Sequence, residues 1–173
     1  MVGLYCDFLA QHEQSTANML GAILKQLANR GGIPEHIKEA FQEAKKEFGG
    51  RGLRVPDMVE ILKKSTASLP RVFICIDALD ECTAKHRRDL LESLREILRM
   101  SPNLRIFLTG RSHIDDEIAK SFGKTLRIPL SPAHADIKRY LEMRLGGDTD
   151  PYAMGDELRA DIMRIIPEKI SDM

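Results

Sequence analysis

Asp77, Asp80 and Glu81 fall within five consecutive positions at the end of the apolar run in "VFICIDALDE", residues 72–81. Carboxylates this close repel one another, so their ionised forms call for a cation or wide exposure to water. Magnesium answers that need. It prefers oxygen ligands, keeps most of its waters and is commonly held by one or two carboxylates together with substrate phosphates. In that chemistry Asp77 positions the metal through its water, and Asp80 or Glu81 orients or deprotonates an attacking water. A plainer reading stands beside it: acids suit the first turn of a helix that follows a strand.

A second polar group closes the run "RIFLTGRS", residues 105–112, where Thr109, Gly110 and Arg111 follow an apolar stretch. If both runs are strands of one parallel sheet, a hydroxyl and a guanidinium reach the edge that carries the acids. Ligands gather at that edge in open parallel sheets. A guanidinium there suits planar, bidentate contact with a terminal phosphate. The alternative is a simple turn, with Gly110 for backbone freedom and Arg111 paired to a nearby acid. A metal-dependent nuclease or phosphatase built on the acids would need more ligands at neighbouring strand ends. Asp7 is the candidate there, and His113 lies just past Arg111, whereas His12, His36, His86 and His134 read as surface or helix positions.

These residues need a frame, and the chain supplies one by alternation. "VGLYCDFL" reads as a strand from Val2 to about Phe8. Ser15 or Thr16 caps a helix whose stripe is Leu20, Ile23, Leu24 and Leu27, ended by Gly31 and Gly32. Pro34 opens a second helix with Ile37, Ala40, Phe41, Ala44 and Phe48 at helical spacing, and a third begins near Pro56. Val72 to Ile76 shows no polar side, which predicts a strand covered on both faces in the middle of a parallel sheet. "HRRDLLESLREILRM" is an amphipathic helix, "LRIFLT" a strand, "IDDEIAKSF" a short helix and "KTLRIPL" one more strand. "SPAHADIKRYLEMRL" and "GDELRADIMRIIPEKI" then close the chain as helices. The order implies an α/β domain with a mainly parallel sheet, followed by the start of a helical unit.

The 173 residues suffice for one ordinary domain, or one and part of a second. Basic and acidic residues balance at 26 each, so no net field draws the molecule to nucleic acid or an anionic membrane. Aromatic residues are scarce at 5%, which argues against base-stacking platforms. No apolar run approaches the roughly 20 residues that span a bilayer. The odd number of cysteines, Cys6, Cys75 and Cys82, reads as reduced thiols in a cytoplasmic setting. Cys82 and His86 have a spacing that suits half a metal site, but no second pair completes it.

"VFICIDALDEC", a helix and then "LRIFLTGRS" resemble the Walker B and sensor strands of NACHT-class signal-transduction NTPases. Within that class the chain is most similar to the nephrocystin-like N-terminal domains of fungal proteins of the NOD-like receptor type. "YCDF" before "STANMLGAILKQL", and "IPLSP" before "DIKRYLEMRL", extend the likeness over nearly the whole chain. The resemblance implies a three-layer P-loop NTPase-like fold over residues 1–130 and the beginning of a helical domain over 131–173. It also implies binding of ATP or GTP with Mg2+, slow hydrolysis, and a nucleotide-dependent signalling switch. By motif, Asp77 would be the magnesium aspartate, Asp80 and Glu81 the extended acidic pair with the catalytic role, and Arg111 the first sensor, with Thr109 beside it as a further nucleotide-binding candidate.

The phosphate loop of such a protein is G-x-x-x-x-G-K-[ST], and the one near-match is "IAKSFGKT", residues 118–125. Ile118 replaces the first glycine, and a strand rather than a helix is expected to follow, so no helix N-terminus would point amides at phosphate. The expectation is a chain that begins after the strand and loop of its class, with weak or no hydrolysis. In the resembling sheet that strand lies between the sensor strand and the one expected at Leu126 to Ile128. Unpaired ladder groups would then seek a partner. The partners this implies are a full-length NACHT protein or a second copy of the chain, with no nucleic acid and no membrane. A non-enzymatic interaction module is the competing expectation.

Overall fold

The computed structural model describes residues 1–28, 35, 38, 39, 42, 53–123, 125–147 and 154–171. The expected helix opened by Pro34 lies outside these residues apart from isolated positions, as does the glycine stop at Gly31 and Gly32. The chain forms two compact units, Met1–Thr125 and Leu126–Met173.

The first unit is built on a parallel sheet in the order β1 (Val2–Tyr5), β2 (Val72–Asp77) and β3 (Leu104–Leu108). Val2 lies opposite Ile74 and Ile76 opposite Leu108, so the carboxyl ends of the three strands come together on one edge. Between and after the strands come α1 (Thr16–Ala28), α2 (Val55–Ala67), α3 (Ala84–Met100) and α4 (Asp115–Phe122). β1 is shorter than the pattern of its sequence. Cys6 makes one more ladder bond, its N–H donating to the Asp77 carbonyl at 3.0 Å. Asp7 then accepts from the Leu9 amide at 2.9 Å and caps a 3-10 turn over Phe8–Ala10. A short polar side chain that bonds its own backbone ends the strand.

Side chains close the first turns of α1, α2 and α3. Ser15 Oγ accepts from the Asn18 amide at 3.2 Å, Asp57 accepts from the Arg54 amide at 3.3 Å, and Thr83 Oγ1 accepts from the His86 amide at 3.4 Å. One core results. Leu20 and Ile23 of α1, Leu62 of α2, and Leu90, Leu91, Leu94 and Ile97 of α3 bury against Val2, Val72, Ile74, Ile76 and Leu104.

The continuous apolar run of β2 does not make a strand covered on both faces. Its residues alternate, with Val72, Ile74 and Ile76 buried and Phe73 41% exposed. Successive side chains leave a strand on opposite faces, so Phe73 and Cys75 sit away from the core that their hydrophobicity suggests. Tyr5 of β1 and Phe107 of β3 are 71% and 58% exposed. Both stand in register with this second face of β2, opposite Asp77 and Cys75.

The phosphate-loop near-match is the end of a helix. α4 runs through Phe122, and Gly123 stops it at φ 70° with its N–H on the Ala119 carbonyl at 2.8 Å. Lys124 lies outside the described residues.

In the second unit, α5 (His134–Gly146) packs on α6 (Asp156–Ser171), with Ile137 and Pro167 buried. Of the strand expected over residues 124–130, none forms over the described residues 125–130. The described residues there take no regular secondary structure, and Leu126, Ile128 and Leu130 are exposed. Alternating apolar residues satisfy a strand's pattern, but ladder hydrogen bonds decide whether the strand exists. Among the described residues no helix is long and apolar enough to cross a membrane.

Candidate functional site

The carboxyl edge of the sheet is assembled by β2, β3 and the turns that follow them. Thr109, the residue after β3, is the fastener. Its amide donates to the Ile76 carbonyl at 2.9 Å, and its own carbonyl accepts from the Leu79 amide at 2.9 Å. Its hydroxyl accepts from the Ala78 amide at 2.9 Å and donates to Asp77 Oδ1. One side chain thus bonds both the backbone and the acid at the end of β2.

Ala78 turns the chain sharply, at φ 53° and ψ 44°. This left-handed conformation costs a residue with a Cβ about 1–2 kcal/mol. The turn drops Leu79 into the core, fully buried, and carries Asp80 and Glu81 to different places. Asp80 Oδ1 accepts from the Arg111 amide at 3.2 Å, and its Oδ2 lies 3.5 Å from Arg111 Nε. The Asp80 side chain is only 8% exposed, whereas that of Arg111 is 79% exposed. Asp80 therefore holds the base of an arginine that reaches into solvent. Gly110 permits the approach by its size: a Cβ there would lie 2.6 Å from Ile114 Cδ1, a buried side chain, and 3.4 Å from Asp80 Oδ1.

Glu81 points the other way. Its Oε2 accepts from the Phe8 amide at 2.9 Å, and its carbonyl accepts from Gln11 Nε2 at 2.6 Å. It ties the turn after β1 to the turn after β2. Beneath them lies Arg87, which the reading of motifs alone passes over. This buried guanidinium donates to the Cys82 carbonyl at 3.0 Å and to Glu117 Oε2 at 2.9 Å. Its only sequence signal is an arginine on the apolar side of α3, three positions before Leu90.

Of the five candidate residues, the fold thus joins Asp77 to Thr109 and Asp80 to Arg111, and it sends Glu81 toward the end of β1. Asp7 is engaged as a helix cap, and His86 Nδ1 lies 3.3 Å from Thr16 Oγ1. Among the described residues no group of three or more His, Cys, Asp or Glu converges on one point. The donor set does not fit an all-protein metal cage. It does fit magnesium held by one exposed carboxylate, waters and a phosphate, because Asp77 is exposed and oriented by a hydroxyl. A groove bordered by Thr16, Val55, Asp89, Ser93, Glu96 and Arg99 lies along α1, α2 and α3, not at the strand ends.

A family model described as nephrocystin 3, N-terminal matches residues 1–111. The match takes in β1, β2, β3 and the five candidate residues Asp77, Asp80, Glu81, Thr109 and Arg111, and it ends on Arg111. No curated protein and no solved structure matches the chain.

Proposed function

The chain belongs to the nephrocystin 3 N-terminal family, and we propose that it carries the acid and sensor strands of a NACHT-class nucleoside-triphosphate switch. The observation that supports this reading is the pairing at adjacent strand tips, Asp77 with Thr109 and Asp80 with Arg111. In this reading Asp77 holds Mg2+ through water and Thr109 fixes the carboxylate that does so. Arg111 reaches for the terminal phosphate of ATP or GTP, with Asp80 as its positioning residue. Glu81, one oxygen of which is committed to the Phe8 amide, orients the attacking water. Magnesium, when bound, supplies charge neutralisation between phosphate oxygens.

These 173 residues contain no G-x-x-x-x-G-K-[ST] cradle. The backbone amides and lysine of that loop supply much of the grip on triphosphate. The purified chain is therefore expected to hydrolyse ATP and GTP at or near background. Robust magnesium-dependent turnover that Asp77→Asn abolishes would overturn this, because another segment would then have to supply the cradle.

A second reading rests on a different observation. Phe73, Phe107 and Tyr5 expose apolar surface on one face of a parallel sheet, and parallel sheets ordinarily have both faces covered. β3 is also an edge among the described strands. Both features suit an interaction module that docks on a full-length relative or on a second copy of itself. A chain that stays monomeric in solution and fails to co-purify with an intact relative would rule it out.

A further inference from the structure

Two sulphurs lie in contact inside the first unit. Cys6 Sγ and Cys82 Sγ are 3.0 Å apart and share a hydrogen bond, although 76 positions separate them in sequence. Both residues are buried, at 1% and 3% exposure, and all three cysteines are free thiols. The backbone holds each in place. Cys6 is bonded to the Asp77 carbonyl, and Cys82 lies between the Leu79 carbonyl and the guanidinium of Arg87. Gln14 Oε1 and Met19 Sδ lie 3.6 and 3.8 Å from Cys82 Sγ.

A metal between the two sulphurs fits poorly. Two thiolates on one zinc, at about 2.3 Å each in a tetrahedral array, stand nearly 4 Å apart. Closing the observed gap to the bond length of a disulfide, about 2.05 Å, asks for a shift of only about an ångström.

We propose that Cys6 and Cys82 are a two-electron redox site, at which a peroxide-class oxidant joins the two thiols in an intramolecular disulfide. Cys82 is the sulphur that reacts first. The hydrogen bond shared with Cys6, and then the Arg87 guanidinium, hold its thiol below the usual cysteine range. The Cys82 thiolate attacks one peroxide oxygen and the O–O bond breaks. The departing hydroxide takes up a proton as water, leaving a sulfenic acid on Cys82. Cys6 sulphur then attacks Cys82 Sγ, the S–O bond breaks, and the leaving hydroxide carries off the Cys6 proton as a second water. Two thiols and one peroxide give one disulfide and two waters. The bond ties the end of β1 to the turn bearing Asp80 and Glu81. It stands on the sulphur geometry and does not depend on nucleotide binding.

The test uses the full chain, reduced and then exposed to hydrogen peroxide, quenched, unfolded and alkylated. The expected product has lost two hydrogens and takes up alkylating reagent at Cys75 alone. Its digest links the Cys6 peptide to the Cys82 peptide, and dithiothreitol reverses the link. Cys75→Ser is expected to form the same bond. Cys6→Ser is expected to leave a sulfenic acid on Cys82 that dimedone traps. Should Cys6→Ser not fold, the digests of the wild type and of Cys75→Ser decide by themselves. A link through Cys75, a link between chains, or oxygen added to Cys75 while Cys6 and Cys82 both remain alkylatable would overturn the proposal.

Discussion

Ala78 takes a left-handed conformation that glycine would adopt without strain, φ 53°. It is also the residue that aims both neighbouring acids. Replacing it by glycine relieves the Cβ clash but loosens the unfolded chain, and the two effects oppose one another. The first costs about 1–2 kcal/mol and the second about 0.4–1 kcal/mol. Ala78→Gly is therefore expected to be neutral or to stabilise by up to about 1.5 kcal/mol, read as the urea midpoint; a loss of stability would show that the turn is not strained. Thr109→Val gives the opposite result. It removes the acceptor for the Ala78 amide and the donor to Asp77 at nearly constant volume. A broken pair of this kind costs about 1–3 kcal/mol. If Thr109 orients the magnesium aspartate, the same change also weakens whatever magnesium affinity the chain has, whereas a purely structural threonine would lower stability alone.

Among the elements, α2 and α3 are joined at their surfaces by Lys63, whose Nζ lies 2.6 Å from Glu60 Oε1 and 2.6 Å from Glu96 Oε1. These partners hold its ammonium charged above the usual lysine range, Glu60 first and Glu96 next. A raised folded value means that the stabilisation is complete below the unfolded lysine pKa of about 10.4. It is then lost as pH climbs through the folded value. The stability difference between wild type and Lys63→Met should stay level from roughly pH 7 to 9 and shrink above about pH 10. A difference that stays level through that upper range would show that Lys63 acts through packing, which carries no dependence on pH. The elements were also what the sequence revealed most plainly. α3 declares itself through Leu90, Leu91, Leu94 and Ile97, all of which bury. β2 and β3 show as apolar runs that end in the acids and in Thr109 and Arg111. Pattern did not reveal where those side chains go. Asp80 and Glu81 are neighbours with the same chemistry, yet a single positive φ sends one to Arg111 and the other to Phe8. Nor could an apolar run tell that Phe73 faces away from the core, or an alternating one that residues 126–130 would make no ladder.

At the scale of the whole molecule, burial is unevenly shared between the two units. Of the buried apolar side chains among the described residues, all but Ile137 and Pro167 lie in Met1–Thr125. Among its described residues that unit has three strands, the helices α1 to α4 and a continuous core. Among its described residues Leu126–Met173 contributes α5 and α6 with two buried residues, Ile137 and Pro167, while Tyr140, Met143, Leu158, Ile165 and Ile166 remain exposed. Helices of 13 and 16 residues are marginal in water without a buried face. A chain of this size rarely folds on one small core. Residues 1–125 expressed alone should therefore unfold cooperatively in urea, while residues 126–173 alone should give the far-UV circular dichroism of a largely unstructured peptide. The exposed side chains on α5 and α6 make the second half of that expectation severe. If the separate 126–173 peptide melts as a cooperative helical unit, its stability must come from association between copies through those side chains. Its melting temperature would then rise with peptide concentration.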